Sequence, residues 1–185
     1  ENNYCDEDSK LNPISSYAKQ KVEVEKILMD KENAISFRLA TVFGMSPRMR
    51  LDLLVNNFCH IALSKGKIDI FEGHFRRNFV HVLDVARAFI FCMENFNKLK
   101  NNVFNFGLDE ANLTKLELAK KIKKYVPNFE ITENEFEKDP DQRDYIVSNK
   151  KILSTGFKFK VGLDEGIKEL IIKIPKLPKK SFSNV

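Results

Sequence analysis

Tyr17 and Lys21 lie four residues apart in Tyr17-Ala18-Lys19-Gln20-Lys21, a spacing that sets the two side chains beside each other on a helix. A free phenol, with a pKa of about 10, is a poor base at neutral pH. A neighbouring ammonium favours the phenolate and makes the Tyr a workable acid or base for a carbinol proton, the transfer that accompanies hydride movement. None of the other three tyrosines has Lys at plus four. Taken alone, the pair also describes an ordinary helical contact. A second set is Arg48, Arg50, Arg76, Arg77 and Arg143, all in expected loops or strand ends. The guanidinium fork suits phosphate through paired, charge-assisted hydrogen bonds, although scattered surface arginine is the plainer reading. His81 stands between two valines on an expected strand, where a histidine is more often structural, and Asp84 reads as a helix cap. The three histidines show no metal-ligand spacing, and Cys5, Cys59 and Cys92 form no Cys-x-x-Cys, so no metal site and no disulfide framework are expected.

The elements that must position these groups alternate between helix and strand. Residues 13–31 read as a helix whose positions 17, 21, 24 and 28 share one face. A strand over 35–43 ends at Gly44 and Pro47, and a helix over 51–64 closes at Gly66. Short extended pieces follow at 68–71 and 78–82. Asp84 then opens a helix with apolar positions 85, 88, 89, 92, 93 and 96. A strand at 103–107 leads to the capping box Thr114-Lys115-Leu116-Glu117, which opens a helix to about residue 126. An edge strand near 129–132, a short helix over 149–154 and a last helix striped by Leu163, Ile167, Leu170, Ile171 and Ile174 complete the chain. This alternation predicts an α/β fold.

The 185 residues are 43% hydrophobic, which excludes a wholly disordered chain. No apolar run approaches the roughly 18 residues of a membrane span. Sixteen Phe stand beside four Tyr and no Trp. The net charge of +5 permits polyanion binding without demanding it. Neither aromatic-basic interleaving nor a basic amphipathic helix supports a nucleic-acid or membrane module. A reducing, cytoplasmic setting fits the scattered cysteines.

Pro13-x-Ser15-x-Tyr17-Ala18-x-x-Lys21, followed by the strand Phe37-Arg38-Leu39-Ala40-Thr41-Val42-Phe43-Gly44, resembles the extended short-chain dehydrogenase/reductase family, the NAD-dependent nucleotide-sugar epimerases and dehydratases. The likeness continues through residues 46–56, similar to a substrate-loop segment of one epimerase-like subgroup, and through Arg76-Arg77-Asn78-Phe79-Val80-His81-Val82-Leu83-Asp84. It extends to Phe104-Asn105-Phe106-Gly107, Asp141-Gln142-Arg143 and the last helix, spanning about residues 12–174 in the family's order. The resemblance implies that Tyr17 is the acid/base and that Lys21 lowers its pKa and bonds the nicotinamide ribose, so both are cofactor-binding. It implies NAD (or NADP) as cofactor and a nucleotide-sugar as substrate. Arg77 and Arg143 would meet the diphosphate, Asp52 and Leu53 would hold the nucleotide, and Thr41 would occupy a substrate-contacting position where many epimerases carry Asn. Neither nucleic acid nor membrane is implied as a partner, and a homodimer is implied for the full-length protein.

Departures from the pattern accompany the likeness. The seven glycines build no Gly-x-Gly-x-x-Gly, the dinucleotide fingerprint of the family's first strand-turn-helix. The family's catalytic Ser/Thr also belongs further upstream than Glu1, and Asn78 stands where the family often has Asp. The chain therefore reads as the C-terminal part of a 4-epimerase-like enzyme, with on the order of 100 residues missing, and is expected to be incomplete and inactive by itself. A 4,6-dehydratase or reductase of the same family, or a non-catalytic relic, is the alternative. Residues 1–47 and 77–107 are expected to form the remaining part of a Rossmann-type parallel sheet. Residues 48–76 and 108–174 are expected to form an interleaved smaller α/β substrate lobe, and 175–185 a basic tail. One face of the Tyr17 helix and one strand edge are expected to be bare.

Overall fold

The computed structural model describes residues 4–134 and 144–178. The chain opens with the two-residue strand β1 (Tyr4–Cys5), which runs parallel to β9 (Ile146–Val147). Helix α1 (Ser16–Asp30) is capped by Ser15, whose Oγ accepts the Ala18 N–H at 3.2 Å. The expected strand 35–43 forms as two pieces, β2 (Ile35–Leu39) and β3 (Thr41–Phe43). Next come α2 (Leu54–Ser64), β4 (Lys67–Phe71), β5 (Arg76–His81), α3 (Val82–Glu94) and the single turn α4 (Phe96–Leu99). Strand β6 (Asn102–Phe106) leads through a 3₁₀ turn to β7 (Asn112–Thr114) and α5 (Lys115–Lys123). The remainder is β8 (Glu130–Asn134), β9, α6 (Lys150–Ser154) and α7 (Leu163–Lys173).

The pairing is largely parallel, as α/β alternation requires. β2 pairs with β6 from Ile35↔Asn102 to Leu39↔Phe106, β3 with β5 from Thr41↔Phe79 to Phe43↔His81, and β4 with β8. Among the described residues, only the β5–β7 ribbon is antiparallel. Two cores result. The larger gathers Phe43, Phe58, Ile70, Leu118, Ile122, Phe129, Ile167 and Leu170 between α2, α5 and α7. The smaller joins Val80, Ala88, Cys92, Phe104, Phe106, Ile152 and Phe157. The Phe-rich composition is spent largely here. Phe106 lies 5.4 Å from Phe37 and 5.2 Å from Phe157, and Phe157 lies 5.2 Å from Phe159, in edge-on contacts worth about 1 kcal/mol each beyond area burial.

Helix α1 buries none of its residues, and among the described residues β2 is hydrogen-bonded only to β6. The expected bare helix face is therefore present, with Tyr17, Val24 and Ile27 all at least half exposed.

Further readings change. α5 stops at Lys123 instead of reaching residue 126. Phe89 and Met93 of α3 are 52% and 68% exposed, so its core face narrows to Ala88 and Cys92. Asp84 is not the cap of α3. The cap is His81, whose Nδ1 accepts the Leu83 N–H at 3.3 Å. Asp84, fully buried in the first turn, reaches across to a distant loop. It accepts the Lys160 N–H at 3.0 Å, the Val161 N–H at 2.9 Å and Arg87 Nη1 at 2.8 Å.

Asp84→Ala strands two backbone donors, so a loss of about 2–4 kcal/mol is expected. Arg87→Ala, at the exposed end of the same pair, should cost less than about 1 kcal/mol. Denaturant titration of the two variants checks the ratio, and equal losses would remove Asp84 from its role as a loop anchor.

Candidate active site

Tyr17 lies in the first turn of α1 because Ser15 ends the extended approach and starts the helix one residue later. Tyr17 is 69% exposed, and Lys21 Nζ sits 5.3 Å from the ring centroid. The structure thus brings together the two residues singled out by spacing. One turn further on, Glu25 is held by Arg38 of β2, with Nε to Oε2 at 3.0 Å and Nη2 to Oε1 at 2.7 Å.

The remaining candidates fall on other elements. Thr41 opens β3 opposite Phe79 and is half-buried. Asp52 is exposed in the loop before α2 and takes a forked ion pair from Arg50, at 2.8 and 2.5 Å. Leu53 occupies the capping position of α2 and is half-buried. Arg77 is 7% exposed and donates from Nη1 to the Arg76 carbonyl at 2.7 Å. Arg76 itself donates its backbone N–H to Asp144 at 2.9 Å. Arg143 lies outside the described residues.

The 44–53 segment is held by side chains not singled out by spacing. Asn56, 3% exposed, accepts the Gly44 N–H at 3.1 Å and donates to the Arg50 carbonyl at 3.0 Å, while Asn57 donates to the Leu51 carbonyl at 2.9 Å. Two consecutive asparagines early in an apolar helix were the available signal, since amide side chains there readily bond nearby backbone.

His81 is structural, as its setting suggested. Leu83 donates to Nδ1, which leaves the ring proton on Nε2 facing Glu169 Oε2 at 2.9 Å. Gly44 and Gly166 let the backbone approach that ring. A Cβ on Gly44, whose φ is +117°, would lie 2.5 Å from Nε2. Burial works to raise the Glu169 carboxyl, but hydrogen bonds from Lys173 and His81 outweigh it and hold the group below its ordinary range. Burial also pushes the Cys59 thiol up to about 12, which leaves it inert. Among the described residues no cluster of His, Cys, Asp and Glu could hold a metal, and no helix is long and apolar enough to cross a membrane.

Parallel strands joined by helices, with Tyr17 and Lys21 in contact on the helix entering β2, define an α/β fold. The chain belongs to the NAD dependent epimerase/dehydratase family, which residues 2–107 match. It is 33% identical to a UDP-glucose 4-epimerase of Lactobacillus helveticus, over 63% of this chain and 42% of that one. Among solved structures it resembles the UDP-glucose 4-epimerase of Thermotoga maritima with UDP-glucose, at 26% identity and a TM-score of 0.70, over 92% of this chain and 59% of that one. It also shares the fold of a dTDP-glucose 4,6-dehydratase of Bacillus anthracis in complex with NAD. There the identity is 19% and the TM-score 0.77, over 95% of this chain and 56% of the other. The chain therefore spans about half the length of these relatives.

Because Glu169 is more acidic when folded, the stability it adds is present in full above the ordinary glutamate value of 4.5 and is lost as the pH falls through its folded value. Glu169→Gln should lower the denaturation midpoint near neutrality and make it less sensitive to pH below 4.5. An unchanged acid limb, followed by urea titration at stepped pH, would show that the pair contributes no pH-linked stability.

Proposed function

We propose that the protein is an NAD-dependent nucleotide-sugar epimerase acting at the sugar 4-position. The observation that carries this reading is the Tyr17–Lys21 column, with its ammonium 5.3 Å from the phenol ring on a solvent-facing helix. Tyr17 takes the proton from the sugar hydroxyl as the carbinol is oxidised and returns it when the ketone is reduced from the other face. Lys21 holds its ammonium over the phenol ring and donates to the nicotinamide ribose. NAD, held by these residues, would supply the hydride acceptor and donor for that exchange. The exposed pair fits the ribose end of that cofactor, whereas the seven glycines of the sequence supply no pyrophosphate cradle.

Arg77 and Arg143 are assigned to the diphosphate, Asp52 and Leu53 to the nucleotide, and Thr41 to the sugar side. The division into a cofactor part (1–47, 77–107) and a substrate lobe (48–76, 108–174) belongs to the same proposal. So does a homodimer for the full-length protein, and a cytoplasmic setting, which the three scattered cysteines support.

Steady-state kinetics of the full gene product on UDP- and dTDP-sugars tests the reading. Products separate 4-epimers from 4-keto-6-deoxy sugars, and absorbance reports bound NAD. Tyr17→Phe should lower turnover by about 10²- to 10⁴-fold. Arg77→Ala should raise KM more than it lowers kcat, because a phosphate contact is shared by ground and transition states. Wild-type turnover in Tyr17→Phe would remove the site assignment.

A further inference from the structure

Tyr17, Lys21 and Glu25 stand at successive turns of one helix face, so Lys21 has a possible partner on each side. On one side is the Tyr17 ring, over which its ammonium lies at 5.3 Å. On the other is a carboxylate four residues on, normally the stronger attraction. That carboxylate is already engaged. Arg38 grips both of its oxygens, at 3.0 and 2.7 Å, and Ser36 Oγ approaches Oε2 at 3.5 Å. The side chains of Arg38 and Glu25 are 23% and 14% exposed, so water screens this pair far less than it screens a surface contact. A third guanidinium hydrogen bond, from Nη1 to the Glu7 carbonyl at 2.9 Å, fixes the fork in place. Two parallel bonds from a planar cation outcompete a single flexible ammonium for the same carboxylate.

We infer that Arg38 is a positioning residue for Lys21: by sequestering Glu25 it keeps the ammonium on Tyr17 instead of letting it turn one helical step the other way. The inference rests on the proposed role of Tyr17 and Lys21, but its geometry can be tested without catalysis. The design also makes an unusual genetic demand. Losing Arg38 should harm the Tyr17–Lys21 contact only while Glu25 remains charged, so a second substitution should restore what the first removed.

The test is NMR of the chain labelled with ¹³C at lysine, with the Lys21 ε-methylene assigned by its disappearance in Lys21→Arg. The ring of Tyr17 should displace this signal upfield in the wild type and in Glu25→Gln. The displacement should be lost in Arg38→Met and regained in Arg38→Met/Glu25→Gln. A merely structural role for the ion pair predicts the reverse order, with Glu25→Gln already disturbed and the double variant no better than the single; that result would overturn the inference. Amide shifts of α1 report whether the helix persists. Should Arg38→Met melt it, Arg38→Lys decides instead. A single ammonium frees one Glu25 oxygen, so the displacement should fall and recover on adding Glu25→Gln, and an unchanged signal in Arg38→Lys would count against sequestration. In active full gene product the rate–pH profile should move alkaline in Arg38→Met and return in the double variant. Absent turnover with the NMR pattern intact would sink the proposed activity and leave the positioning role standing.

Discussion

One extended run, residues 35–43, changes partners at its middle, and most of the architecture follows from that exchange. Its first five residues pair with β6 and its last three with β5. Ala40 lies at the seam, where its N–H still bonds the Phe106 carbonyl at 2.9 Å. Small residues are required there. A Cβ on Gly107 would meet Ala40 Cβ at 2.8 Å and Asn78 Oδ1 at 1.6 Å, so a larger side chain would force the strands apart. Before the seam, the strand presents Ser36 and Arg38 to α1. After it, the strand delivers Thr41 and Gly44 to the loop that precedes α2. A single strand thus sets the helix carrying Tyr17 and the start of the segment proposed to hold the nucleotide.

Beyond the seam the two halves are locked by polar groups rather than by apolar packing alone. His81 ends β5, caps α3 and binds Glu169 of α7, while Phe43 packs edge-on against its ring at 5.3 Å. Asn56 ties Gly44 to Arg50 across the loop. Asp84 holds the approach to α7 through the backbone of residues 160 and 161. Each is a buried polar side chain whose removal would strand partners in a water-poor interior, a more exacting constraint than the loss of equal apolar area. The 44–53 loop is consequently braced at both ends before any ligand arrives.

Much of this was legible in the residues. Periodicity found the long helices and the strands, and Thr114 and Glu117 form the reciprocal capping box that their spacing announces. The Tyr17–Lys21 contact was legible because both partners lie within one helix, where spacing fixes geometry. What escaped were partnerships across distance. β1 and β9 are two residues each and pair over some 140 positions, too short to show any period. Asp84 has the residue type and place of a cap, and only the fold reveals that its acceptors serve a loop 76 residues later. The Arg38–Glu25 fork left a trace in the alternation of Ser36 and Arg38 on one strand face, but alternation does not name the helix opposite. Phe89 and Met93 carry the right period for a buried face and are nevertheless exposed, because periodicity records which residues share a face and not what lies against it.

Three of the candidate arginines, Arg50, Arg76 and Arg77, are separated by burial and pairing. Arg50 is tied to Asp52 in an exposed loop, a contact that water screens heavily and that carries little energy. Arg76 faces Asp144 from the ribbon and shares its charge with that carboxylate. Arg77 points to the opposite face of the same strand, is almost wholly withdrawn from water, and rests on the carbonyl of its own neighbour. A guanidinium held in that way has already lost most of its rotamer freedom. An anion reaching it would meet a fixed fork instead of ordering a mobile chain, so less of the attraction is spent on conformational entropy. That difference supports the diphosphate role proposed for Arg77 over one for Arg50 or Arg76.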